Sequence, residues 1–418
     1  MSGPGQDAAA AAAAKLLRED RGRLLAALIR QLDDFALAED ALQDAVESAL
    51  VHWGRNGLPE APAGWLLRTA QRKAIDRLRR NRRFADRAQD LTLILAAEET
   101  PMEDAVDALE LPDDRLRLIF TCCHPALAPK TRIALTLRTL GGLSTAEIAR
   151  AFLDEDAAMA QRLVRARQKI SAARIPYEVP GPADWPARLQ SVLDVVYLIF
   201  NEGYAASSGA TALRQGLCDE ALQLATLLRD LQPAEPEIEG LLALLTLTRA
   251  RMPARDPARF VPLSEQDRTH WDRAQIDDGS ALVETALRRG RPGPYQLQAA
   301  ISALHCAGNS HDDTDWTQIA LLYDALVAFD ANPVIALNRA VALSYAKGAE
   351  VGLQALLPLA GVLGNYRGYH AAEADLRRRL EQTAAARDAY ERAINAPGND
   401  VDTRFLRQRL AALPGARP

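Results

Sequence analysis

Residues 142–170 read GLSTAEIARAFLDEDAAMAQRLVRARQKI, two short helical stretches joined by an acidic turn. Ser144 followed by Glu147 forms a capping box: the serine hydroxyl satisfies an orphan amide of the first turn and the glutamate reaches back. Ile148, Ala149 and Phe152 supply a short apolar face, and Asp154 or Asp156 is placed to cap the second helix. Within that helix Met159, Leu163, Ala166 and Ile170 fall at helical spacing and are predicted to pack inward. Arg162, Arg165 and Lys169 fall on another face and are predicted to stay free. The segment is therefore a helix-turn-helix whose second helix can enter a DNA major groove, its cations meeting phosphates and base edges. A helical hairpin with solvated arginines is the competing reading of the same residues.

Composition narrows the choice of fold and partner. A chain of 418 residues implies two to four domains. Hydrophobic residues make up 48% but aromatics only 5%, and with heavy alanine and leucine use this predicts an all-α protein. A net charge of −5 excludes a chain that coats nucleic acid everywhere but leaves room for a local basic patch. Cys122, Cys123, Cys218 and Cys306 are too few for a disulfide framework. The N-terminus lacks a secretory leader, and Ala8–Ala14 reads as a frayed helix lead-in. The longest apolar run, Val192–Phe200, is broken by Asp194 and too short to cross a bilayer. The expectation is a cytoplasmic protein that makes no membrane contact.

The chain divides by composition. Residues 1–14 are a low-complexity tail. Residues 15–84 are helical, broken at Gly54, Asn56, Gly57, Pro59 and Pro62. Residues 85–112 turn acidic and read as a linker with at most a short helix around Leu91–Ala97. Residues 113–175 form the helical unit ending in the helix-turn-helix, after which Pro176, Pro180, Pro182 and Pro186 mark a boundary. Residues 185–418 form a long helical extension with faint repetition. Ala225, Leu228 and Pro233 share their spacing with Ala325, Ala328 and Pro333, and the two prolines lie roughly three tetratricopeptide periods apart. Trp316, Ile319 and Tyr323 are expected on the first helix of one hairpin and Ile335–Leu343 on the second, with another unit over Tyr369–Pro397. A non-repetitive bundle is the alternative.

The stretch GWLLRTAQRKAIDRLRRNRR at 64–83 is the second strong signal. Leu67, Ala70, Ala74 and Leu78 make one apolar stripe. Arg68, Arg72, Lys73, Arg77, Arg79, Arg80, Arg82 and Arg83 crowd the rest, opposed only by Asp76. Such density repels itself unless an anion is near, so a phosphate backbone is the natural partner. Trp53 and Trp65 can stack on unpaired bases or sit in a core. Just before it, LAEDALQDAVESAL at 37–50 gives an acidic surface of Glu39, Asp40, Gln43, Asp44 and Glu47, with Leu42, Val46 and Leu50 as the expected buried face.

Acidic helix, tryptophan-led basic helix, acidic linker and helix-turn-helix, in that order, resemble the extracytoplasmic-function sigma factors of bacterial RNA polymerase. The resemblance covers about the first 175 residues. It implies that Glu39, Asp40, Gln43 and Asp44 bind core polymerase at its clamp helices. It implies that Trp65, Arg68, Arg72, Lys73, Asp76, Arg77, Arg79 and Arg80 open and hold the minus-ten element. Ser144, Gln161, Arg162, Arg165, Arg167 and Lys169 correspond to the region that reads the minus-thirty-five element near the polymerase flap. The extension, with NEGY at Asn201–Tyr204 and GPYQLQAAI at Gly293–Ile301, is similar to that of a subgroup carrying a fused tetratricopeptide-like domain. There the regulator is either the tail itself, acting on the sigma portion in the same chain, or a separate protein.

Two departures affect specificity. Arg72 stands where relatives often have asparagine, and Ala158 and Ala160 replace polar residues of the recognition helix, leaving base readout to Gln161, Arg162 and Arg165. Catalytic motifs are missing: the sequence has no phosphate-cradling glycine loop, HExxH pair or nucleophile elbow. Cys122, Cys123 and His124 do not match zinc spacing, and neither they nor His305–Cys306 are assigned a metal. No cofactor is expected. Two other readings stay open on residues alone: a tetratricopeptide-type scaffold with a basic head, and an operator-binding regulator that works without polymerase.

Overall fold

A computed structural model describes residues 4–81, 112–152, 154–204, 215–256 and 259–414. The linker expected over 85–112 lies outside them but for its last residue, as does the short helix expected within it. Every helix or strand-like element among the described residues is helical save one isolated bridge between Asp256 and Arg259. The chain divides into two units, Met1–Val196 and Tyr197–Pro418.

In the first unit α1 spans Pro4–Leu32 and takes in the alanine run read as a frayed lead-in, alanine being the best helix former. Leu24, Leu25, Ala26, Ala27, Leu28 and Ile29 are all buried. A stretch apolar all round must be covered on every side, and α1 packs on the helices over 35–56, 62–81, 112–122 and 129–139. Asp34 starts α2 (Phe35–Asn56) by accepting from the Leu37 amide at 3.0 Å. The buried face of α2 is Ala38, Leu42, Ala45, Ala49 and Trp53. Of the expected stripe, Leu42 is buried as predicted, but Val46 is half-buried and Leu50 is 38% exposed, their places being taken by Ala45 and Ala49. Alanines let the backbone of α1 approach more closely than leucines would. Helix α2 ends at Gly57, whose φ of 81° suits glycine. Pro62 then opens α3 (Pro62–Asn81), a first-turn position that needs no amide hydrogen.

Among the described residues four helices follow: α4 (Pro112–Cys122), α5 (Pro129–Thr139), α6 (Thr145–Phe152) and α7 (Asp156–Ala172). Phe120, Leu118, Leu135, Leu137 and Ile148 are fully buried among them. Helix α8 (Trp185–Tyr204) adds its first turns to this core: Trp185 packs on Phe120 at 5.3 Å, and the Ser191 hydroxyl donates to the Cys123 carbonyl at 2.6 Å. Cys122 and Cys123 are buried. Burial pushes both thiols up, Cys123 to about 11, so they pack as small protonated hydrophobes.

The second unit stacks α9 (Gln215–Leu231), α10 (Pro236–Ala250), α11 (Arg273–Arg288), α12 (Pro294–Ala307), α13 (Trp316–Phe329) and α14 (Pro333–Ala346), followed by α15 (Ala349–Leu356), α16 (Ala360–Leu363), α17 (Arg367–Arg379), α18 (Thr383–Asn395) and α19 (Asp400–Ala411). Helix α10 carries eleven buried residues and packs on α9, α11 and α12. Gly240 makes the last contact feasible, because a Cβ there would sit 2.6 Å from the Gln296 backbone nitrogen. The hairpin read from Trp316 to Leu343 is present as α13 packed on α14. The proline match is less deep than its spacing. Pro333 opens α14, whereas Pro233 sits in a turn and Pro236 opens α10.

Candidate nucleic-acid interface

The helix-turn-helix forms as its capping residues dictate. Glu147 Oε2 accepts from the Ser144 amide at 2.7 Å and Ser144 Oγ accepts from the Glu147 amide at 3.2 Å, the reciprocal pair of a capping box. Gly142, at φ 69°, turns the chain into it. Met159, Leu163, Ala166 and Ile170 are the buried residues of α7, as their spacing predicts. Neither Asp154 nor Asp156 caps α7. Glu155 occupies that position without a side-chain bond, and the Asp154 carboxylate is taken by Arg162. Arg162 is thus an intradomain brace across the turn, not the free cation expected.

Gln161, Arg165 and Lys169 are exposed one turn apart on α7, with Arg165 Nη2 donating to Gln161 Oε1 at 3.1 Å. The sequence reading overlooked Val164, 42% exposed on the same surface. An apolar side chain among cations on such a helix suits the methyl group of a thymine. Ser144 is exposed but spends its hydroxyl on the cap.

Arg167 departs furthest from expectation. It points away from that surface to α2, with Nη1 3.3 Å from Glu39 Oε2 and 3.7 Å from Asp40 Oδ1. Glu39, read as part of an exposed acidic face, is only 5% exposed. Its carboxylate also accepts from Arg21 Nη2 at 3.1 Å and lies 3.9 Å from Arg138 Nε. One buried anion therefore gathers guanidinium groups from α1, α5 and α7. Burial, and then Arg138, push Arg21 down to about 10, against the pull of Glu39, so it remains charged at neutral pH. A second seam lies beside it: Arg30 Nε meets Asp114 Oδ2 at 2.9 Å, and the Tyr177 hydroxyl reaches the Ala26 and Asp114 carbonyls at 3.2 and 2.9 Å.

On α2, Gln43 and Glu47 are exposed while Asp40 and Asp44 are half-buried. Arg77 of α3 holds both aspartates, Asp40 Oδ2 at 2.7 Å and Asp44 Oδ2 at 3.0 Å. Arg77 is thereby committed to α2. Arg72, Asp76 and Arg79 line an exposed face of α3, Arg68 and Lys73 are half-buried, and the Arg80 side chain lies outside the described residues. Trp65 stacks on His52 at 5.4 Å and meets Trp53 edge-on at 5.5 Å, so it is anchored with its neighbour Trp53 buried beneath it. Leu67, Ala70 and Ala74 are buried as predicted, joined by Leu66 and Ile75, while Leu78 is only half-buried. Among the described residues no group of three or more His, Cys, Asp or Glu is placed to hold a metal, and no helix is long and apolar enough to cross a membrane.

Comparison with known proteins matches the chain region by region. Residues 16–84 match sigma-70 region 2, residues 117–170 match sigma-70, region 4, and residues 188–287 match a family of unknown function (DUF6596). An uncharacterized protein of Rhizobium meliloti (strain 1021) is 42% identical over 393 residues, which cover 93% of each chain. No solved structure matches. With α1 to α3 as region 2, α4 to α7 as region 4 and helices continuing to the C-terminus, the chain belongs to the sigma-70 family as an extracytoplasmic-function-type sigma factor with a C-terminal helical extension, a non-enzymatic protein whose partners are core RNA polymerase and promoter DNA.

Proposed function

We propose that the acidic surface of α2 around exposed Gln43 and Glu47 and half-buried Asp44 docks on the polymerase clamp helices, and that the Arg72–Arg79 face of α3 holds the opened minus-ten strand. Gln161, Val164, Arg165 and Lys169 engage the minus-thirty-five duplex near the flap. The observation that carries this reading is the Gln161–Arg165–Lys169 stripe, exposed on the second helix of a well-capped helix-turn-helix. Ser144, Arg162 and Arg167, which resemblance also assigns to DNA, support that helix or hold α2 instead. We keep the division into 15–84, 113–175 and 185–418, and read the last as a tetratricopeptide-like module that supports or regulates the sigma portion in the cytoplasm.

The Glu39–Arg167 contact belongs to a resting form in this reading. The two promoter elements lie roughly 25 base pairs apart, about 80 Å of duplex. With Arg167 Nη1 3.3 Å from Glu39 Oε2, α7 packs against region 2 too closely for α3 and α7 to reach their two elements at once, so region 4 must leave region 2 on promoter binding. The test is reconstitution: the full chain, added to core polymerase, is expected to co-purify with it and to direct a promoter-dependent transcript. Duplex binding without polymerase association would replace this reading by that of an operator-binding regulator, and neither activity would leave a scaffold.

A further inference from the structure

The second unit contains a cavity of about 320 Å³, within the size range of small-molecule sites. His305 and His311 line it with Trp316, Tyr323, Asn338 and Tyr345, and no lysine, arginine, aspartate or glutamate does. Four of these rings, His305, His311, Trp316 and Tyr345, form one continuous cluster. Trp316 stacks on Tyr345 at 4.3 Å with 22° between planes, and His311 meets both edge-on at 5.2 and 5.0 Å. His305 meets Trp316 in the same way at 5.1 Å.

Three imidazole nitrogens in this cluster, His305 Nδ1 and both of His311, are buried without a hydrogen-bond partner. Buried polar atoms are nearly always partnered, and an exception calls for a reason such as a missing water or ligand. A metal ion is not that reason, since no group of His, Cys, Asp or Glu among the described residues suits one. The walls are also held in place before anything binds. Buried Arg268 donates to the His305 and Gly308 carbonyls at 3.1 and 2.7 Å and to Thr314 Oγ1 at 3.3 Å, bracing the loop that presents His311. Arg379 lies over the Tyr345 ring at 4.6 Å while bonding Ser344 through its hydroxyl and carbonyl. Such bracing lowers the ordering cost of binding.

We propose that this cavity is a binding site for a small planar aromatic acid. The aromatic cluster offers a surface for a flat ring, and the Ser264 hydroxyl and the Asn338 amide at the open rim offer hydrogen bonds to its polar edge. Charge selects the sign. Arg251, Arg268 and Arg379 bear on the two histidines from behind the walls, opposed by Asp312 at His311 and by Asp375 at Tyr345, where Arg379 and Arg378 answer it. That field favours an anion over a cation. The site does not depend on the docking and promoter assignments above.

The test uses the full chain and four probes, salicylate, indole-3-carboxylate, cyclohexanecarboxylate and benzylamine, titrated by saturation-transfer NMR. The two aromatic acids are expected to bind at least about tenfold more tightly than the other two. Asn338→Trp and Ser264→Trp each plug the cavity from an exposed rim position, and each is expected to weaken aromatic-acid binding about tenfold or more. Equal binding of cyclohexanecarboxylate or benzylamine would overturn the proposal. So would no saturable aromatic-acid binding, or undiminished binding in both plugged variants with wild-type melting.

Discussion

Arg167 Nη1 stands 3.3 Å from Glu39 Oε2, tying α7, the second helix of the region 4 helix-turn-helix, to α2 of region 2. The two residues differ in what else they hold. The Arg167 side chain is 22% exposed and can turn to water, whereas Glu39 is the buried counterion of Arg21, whose side chain is 5% exposed. Arg167→Ala is therefore expected to loosen region 4 with little loss of stability, seen as a larger radius of gyration by small-angle scattering. Core polymerase should bind that variant up to about fivefold more tightly, the closing contact supplying about 1 kcal/mol. Unchanged scattering and affinity would remove the latch.

Glu39→Gln should behave differently. Leaving buried Arg21 without its carboxylate costs about 3–5 kcal/mol, so a marked fall in Tm is expected before any effect on docking is read. A variant that melts like the wild type would return Glu39 to the exposed docking surface.

Arg165 and Arg162 separate readout from architecture. Arg165→Ala should weaken binding to the minus-thirty-five duplex by about 1–3 kcal/mol if it meets a base, or lower the salt slope by about one if it meets a phosphate. Arg162→Ala should chiefly destabilise the turn that its ion pair with Asp154 braces, detectable as a lower melting temperature. Footprinting and filter binding across salt distinguish the two. Equal losses of affinity at equal stability would put both on the DNA.

The sequence made the local features plain because their causes are local. The capping box needs only Ser144 and Glu147, and the buried face of α7 needs only the spacing of Met159, Leu163, Ala166 and Ile170. Pro62 and Gly57 mark helix ends for reasons within their own backbone. What stayed hidden depends on partners far along the chain. Arg167 flanks the buried stripe and looks like one more cation until α2 is set beside it, 128 positions upstream. Glu39 reads as acidic surface until Arg21 and Arg138 arrive to bury it. The α2 stripe was misread since alanine counts as weakly apolar in a periodicity, yet in a close helix pair it is the residue that lets the backbones meet.

Acid should weaken the second unit through His305. Burial, then Arg251, Arg268 and His311, hold its imidazole down to about 3, well below the ordinary 6.5. The folded state therefore binds fewer protons than the unfolded chain, and stability rises with pH across that interval. The contribution is fully present above about pH 6.5 and is lost progressively as the pH falls toward 3. Between pH 7 and pH 5 a group shifted this far forfeits on the order of 2 kcal/mol. Thermal melts of the full chain, followed through that range, should show the transition of the second unit falling. His305→Phe removes the titration and keeps a ring against Trp316, so its melting should fall less over the same interval. An identical pH dependence in the two proteins would mean that His305 is not the group responsible.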